Sequence, residues 1–111
     1  MNKVVYNACY GGFSLSAEAV RWLAMHARED VRAIARKALD KNPEDKFGYF
    51  LDIARHDPDL VRCVEVLGNA ADGYCANLEI KEINSNRYRI YEYDGSEDIV
   101  TPEEEQYITI E

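Results

Sequence analysis

From Val20 to Ala38 the apolar residues fall three and four positions apart: Val20, Leu23, Ala24, Ala27, Val31, Ile34, Ala35 and Ala38. That spacing marks one face of an α-helix. Ser16 suits the N-cap, Leu15 and Val20 are placed for a hydrophobic staple, and Glu18 puts negative charge in the first turn. The stripe runs unbroken past Arg28-Glu29-Asp30, and Asp30 could cap a second helix. Either one long helix covers about residues 17–41, or two helices meet near Asp30. Asn42-Pro43 ends the run, because the residue before a proline avoids helical angles.

A second helical pattern lies between Asp57 and Gly68, with both ends marked. Asp57 can accept from the first free N–H groups, Pro58 suits the first helical position, and Asp59 favours the dipole. Gly68 can take the positive φ that closes the helix. Leu60, Val61, Val64 and Leu67 form an apolar face that Cys63 and Val66 widen. So apolar a helix is expected to be buried on more than one side. If Asp57 acts only as a cap, asparagine should replace it at little cost, whereas alanine should cost about 1 kcal/mol.

Elsewhere the period is two. Lys3–Tyr6 reads as a strand from its β-branched and aromatic content. Leu78, Ile80 and Glu82 alternate with Glu79, Lys81 and Ile83. Asn84-Ser85-Asn86 is turn chemistry. Arg87–Tyr93 follows as a strand with Tyr88 and Ile90 facing the core, so an antiparallel hairpin with the preceding strand is expected. Asp94-Gly95 turns again, and Ile99-Val100 and Tyr107–Ile110 could each add a strand. Pro43–Ala54 is the least regular part and is expected to be a loop, then a short piece delivering Ile53 to the core. Asn69–Gly73 reads as a loop. Strand, helices, then a run of strands point to one α+β domain over 1–111. Its plan is an N-terminal strand, one long or two shorter amphipathic helices, a buried central helix and an antiparallel hairpin or meander sheet.

Charge refines this picture. The net charge is −8, which argues against non-specific binding to nucleic acid or an anionic membrane. Residues 1–56 carry nine Lys/Arg and seven Asp/Glu, whereas residues 57–111 carry four and fourteen. From Glu92 onward there are eight acids and no base, giving an acidic segment from about residue 94. Such a segment is either a solvated tail or a surface for a basic partner. The three cysteines, Cys9, Cys63 and Cys75, have no zinc-finger spacing and fit a reducing compartment. No metal or cofactor is implied. The start of the chain lacks a signal-peptide pattern, and no apolar run approaches membrane-spanning length. A soluble intracellular protein is expected.

Three sets of residues could carry chemistry. Cys9, His56 and Asp57 supply a thiol, a base and an orienting acid, although Asp57 is also wanted as a cap. Asn7, Tyr10, Gly11 and Gly12 precede a helix, where backbone N–H groups can approach an anion; with Arg55 and His56 they would form a phosphate site. The plain alternative is that the glycines only turn the chain and Arg55 makes a salt bridge. Eight tyrosines form the third set. Tyr91 and Tyr93 share a strand face with Arg87 and Arg89, and with Asp94 and Glu97 they suggest a partner surface. Aromatics beside arginines could also stack on a base.

Tyr6-Asn7-Ala8-Cys9-Tyr10-Gly11-Gly12-Phe13-Ser14-Leu15-Ser16 and Arg55-His56-Asp57-Pro58-Asp59-Leu60-Val61 resemble the signatures of a family of small proteins encoded by tailed bacteriophages. Leu78–Ile83 and Tyr91-Glu92-Tyr93-Asp94-Gly95 are also similar. Ser14 stands where the family more usually has glycine. The resemblance implies a phage setting and carries no established activity. By analogy with small phage proteins, the expected role is binding in counter-defence or host takeover, in the host cytoplasm. That means inhibiting a host protein or, alternatively, holding a nucleotide or other phosphate-containing ligand, as a ligand binder or small hydrolase. Enzymatic activity is the less favoured reading, and there is room for a homo-oligomer.

Overall fold

The computed structural model describes residues 1–44, 46–104 and 110. The order is β1 (Asn2–Asn7), α1 (Ala17–His26), α2 (Glu29–Lys41), α3 (Pro58–Leu67), a 3₁₀ turn at Gly68–Ala71, then β2 (Leu78–Ile83), β3 (Arg89–Tyr93) and β4 (Ser96–Val100). This is an α+β fold. The stripe over 17–41 belongs to two helices. They part at Ala27-Arg28, where the Ala27 backbone becomes extended while its N–H still reaches the Leu23 carbonyl. Asp30 is not the cap. It lies inside the first turn of α2, where its carboxylate accepts from Val31 N–H at 3.0 Å.

β1 is the hub. It pairs antiparallel with β2, Asn2 opposite Ile83 and Asn7 opposite Leu78. Facing residues of an antiparallel pair share a side, so Val5, Leu78 and Ile80 meet the helices while Val4 and Ile83 point the other way. Two cores result. Val5 joins Leu15, Leu23, Leu60, Val64 and their neighbours in the large helical core. Val4 and Ile83 join Ile99 of β4 in a smaller one, against which Tyr6 and Tyr88 pack. The β1–β2 sheet thus separates the helices from the β3–β4 hairpin.

The expected pairing of β2 with β3 does not form. β3 pairs instead with β4, Tyr93 opposite Ser96, through a two-residue turn. Asp94 and Gly95 have φ of +52° and +90°, the backbone of a type I′ turn that matches strand twist. Asn84–Tyr88 is a connection between layers rather than a hairpin loop. Ile90 is not a core residue; it is 37% exposed.

Capping is as expected for two helices. Ser16 Oγ accepts from Ala19 N–H at 3.1 Å, and Asp57 Oδ1 accepts from Asp59 N–H at 2.9 Å. Gly68 closes α3 with φ +56°. Leu60, Val61, Cys63 and Val64 are buried, but Val66 is 60% exposed and does not extend the face. The 43–54 segment runs back along Leu15, exchanging backbone hydrogen bonds between Leu15 and Tyr49 at 2.8 and 2.9 Å. It buries Tyr49 and Leu51, whereas Ile53 is only half-buried. In the strand expected at Tyr107–Ile110, residues 107–109 lie outside the described residues. Among the described residues no helix is long and apolar enough to cross a membrane.

Candidate functional site

The residues expected around the glycine turn do converge, but they bind one another. The free edge of β1 is satisfied by the chain itself: Val5 N–H donates to the Arg55 carbonyl at 2.9 Å, and Asn7 N–H donates to Glu97 Oε1 at 2.9 Å. The Arg55 guanidinium forks onto the same carboxylate, at 2.5 and 2.9 Å, and lies 3.6 Å over the Phe13 ring. Asn7 is fully buried. Its amide donates to the Cys9 and Gly95 carbonyls, and its oxygen accepts from Asn77 N–H. Glu97 therefore does not belong to an outer partner surface; it is buried as the counter-ion of Arg55.

The glycines have packing roles. A Cβ on Gly11 would lie 2.0 Å from the Cys75 carbonyl oxygen, and one on Gly95 would lie 2.3 Å from the Tyr10 carbonyl oxygen. Close backbone approach there is to other parts of the chain. The first turn of α1 is already capped by Ser16. Tyr10 remains exposed beside this turn. Asn7, Gly11, Gly12 and Arg55 thus hold the strand, the turn and β4 together.

Cys9, His56 and Asp57 are not assembled as a catalytic set. Among the described residues no hydrogen bond joins their side chains. Asp57 faces Arg28, whose guanidinium contacts both its oxygens and also Asp59 at 2.9 Å. The N-termini of α2 and α3 are tied together here, since Arg28 N–H also donates to Asp59 Oδ2 at 3.1 Å. Burial alone would push the Asp57 carboxyl up, but the Arg28 guanidinium and the Asp59 and Leu60 N–H groups hold it below the usual carboxylate range. The same hydrogen bond and charges raise Arg28 further above its already high value. Cys63 is inert: burial pushes its thiol up to about 12.

His56 turns the other way. Its Nδ1 is 2.7 Å from the Tyr88 hydroxyl, with the rings edge to face at 5.6 Å. Burial raises the Tyr88 phenol, with Arg55 opposing. Which of the two groups donates in this contact is set by the imidazole tautomer. Clefts open on the sides of this pair. One of about 230 Å³ runs between Lys3, His56, Asn86 and Tyr88. Another lies over His56, Arg87, Tyr88 and Arg89, and a third, of about 220 Å³, reaches from Arg87 and Arg89 to Pro102. Tyr88 lines all three.

The hairpin presents the second candidate surface. Every residue of β3 is exposed. Pairing places Ile90 with Ile99 and Glu92 with Glu97 toward the body, and Arg89, Tyr91 and Tyr93 with Val100, Asp98 and Ser96 outward. Tyr91 and Tyr93 are 58% and 70% exposed, and Asp94 sits at the tip.

His56 stands out in the sequence as a candidate; its partner Tyr88 does not, because the strand pattern marks Tyr88 only as core-facing. Asn86 reads as a turn former, and nothing local places it in the same clefts as a histidine thirty positions earlier. Among the described residues no cluster of His, Cys, Asp or Glu could hold a metal ion. Comparison with family models, with curated proteins and with solved structures finds no match to this chain.

Proposed function

We propose that this chain is a small accessory protein that acts by binding another protein, with the β3–β4 hairpin as its docking surface. The observation that supports this is the full exposure of β3, a strand carrying Tyr91, Tyr93 and Arg89 on its outward face. A strand that served only to close the core would bury one face. Tyrosine and arginine are the residues from which interface hot spots are built. Asp98, opposite Tyr91, and Asp94 at the turn rim the tyrosines, which suits a partner with a basic patch and speeds its encounter. In the phage setting that the resemblance implies, the partner is a host protein in the host cytoplasm, and the role is counter-defence or host takeover.

The test is affinity capture from host lysate, at low and moderate salt, with the wild-type chain and with a Tyr91→Ser/Tyr93→Ser variant of equal thermal stability. A specific protein held by the wild type and lost by the variant is expected. Capture of nothing specific at either salt, or equal capture by both chains, would refute the proposal.

A further inference from the structure

We infer that the clefts around Tyr88 form a binding site for a small ligand joining a planar ring to a phosphate, a nucleoside monophosphate being the simplest. This site shares Arg89 with the outward face of the hairpin but uses neither Tyr91 nor Tyr93.

Charge is the first observation. Residues 57–111 carry only four Lys/Arg against fourteen Asp/Glu, yet two of those four, Arg87 and Arg89, flank Tyr88 and line one cleft together with His56. Of the lysines nearby, Lys3 holds Glu65 at 2.7 Å and Lys81 holds Glu104 at 3.0 Å. Arg87 makes no side-chain hydrogen bond or ion pair among the described residues. Its backbone is fixed, since Arg87 N–H donates to Ser85 Oγ at 3.1 Å. An arginine fork on a pinned backbone, facing a cleft, is suited to bidentate contact with phosphate oxygens.

Ring chemistry is the second. Tyr88 and His56 hold each other edge to face and hydrogen-bonded. They form an ordered aromatic wall that loses little side-chain freedom on binding. Stacking on such a wall tolerates any base. Asn86, exposed at the rim of two of the clefts, offers an amide donor and acceptor to a ring edge.

Size and sign choose between a small ligand and a polymer. A net charge of −8 repels a long polyanion over its whole length. A single phosphate within the clefts feels mainly the charges inside about 8 Å, the screening length at physiological salt, and Arg87 lines two of those clefts.

The experiment is calorimetric titration of the full chain at physiological salt with adenosine monophosphate, adenosine and inorganic phosphate. Adenosine monophosphate should bind, with adenosine and phosphate each at least about tenfold weaker, because each keeps half the contacts. Arg87→Gln should weaken the nucleotide about tenfold, or about 1.4 kcal/mol, with melting temperature and adenosine binding unchanged. Tyr88→Phe keeps the ring and should retain most affinity. Tyr91→Ser/Tyr93→Ser should bind as the wild type does. Absence of nucleotide binding, phosphate binding as tightly as the nucleotide, or full affinity in Arg87→Gln would each overturn the inference.

Discussion

Asp57 carries two loads, and substitution can separate them. It caps α3 through Oδ1, to Asp59 N–H at 2.9 Å and Leu60 N–H at 3.4 Å, and it receives the Arg28 guanidinium on both oxygens. Losing a cap costs about 1 kcal/mol. A charged hydrogen-bonded pair is worth about 1.5–3 kcal/mol, but Arg28 is half exposed and keeps Asp59 and Asp30 as partners, so about 1 kcal/mol is the appropriate share. Asp57→Ala should therefore lose about 2 kcal/mol and Asp57→Asn, which still caps, about 1 kcal/mol. A cap alone would make Asn nearly free. The pH dependence is a second reading of the same pair. The folded carboxyl lies below its unfolded value of about 3.9. Its contribution is therefore complete above that pH and is lost as pH falls through the folded value. Wild type and Asp57→Asn should differ at neutral pH and converge as the solution is acidified below about pH 4. Urea unfolding of the three chains across this range, at constant m-value, measures it. If Asn and Ala lose the same amount at pH 7, the cap contributes nothing; if Asn loses nothing, the Arg28 pair does.

Leu60→Ala and Val64→Ala, both in the helical core, should each cost about 2–4 kcal/mol by urea unfolding. The Ser14 hydroxyl is buried without a partner among the described residues, wedged between Gly48 and Gly73; Ser14→Ala should stabilise by about 1 kcal/mol, seen as a higher melting temperature. Glu97→Ala leaves the buried Arg55 guanidinium uncompensated and should lose about 3 kcal/mol, more than Arg55→Met/Glu97→Met together. With a chromogenic disulfide at pH 8, exposed Cys75 should react in the folded protein and Cys63 only after unfolding.

Helix starts were readable because their chemistry is local. Ser16 and Asp57-Pro58 lie within three residues of the N–H groups they serve. The α1–α2 break was ambiguous for the opposite reason: Arg28 caps nothing itself and finds its carboxylates on α3. Strand partners were the least readable. Asn84-Ser85-Asn86 has turn chemistry whether the chain doubles back or crosses to another layer, and only the tertiary core decides. The same distance effect hid the functional geometry. Glu97 looks like a surface acid until Arg55 is brought beside it. Val66 looks like core until the apolar stripe proves narrower than the helix. His56 has a partner only when the residues leading into α3 and into β3 meet.

The central position of β1 has a cost in time. The first strand of the chain has no sheet until Leu78–Ile83 arrives to pair with it, and its free edge waits for Glu97. Loop closure over such a separation slows folding relative to a helical bundle of equal size. At synthesis rates of about 5–20 residues per second, the nascent chain carries Val4 and Val5 uncovered for several seconds. The helices can form and collapse on each other meanwhile, because Arg28 and Asp57 are both already made. Joining of the two cores is therefore expected as the late step. A sheet-breaking change at Val4 should slow that step while leaving early helix formation intact.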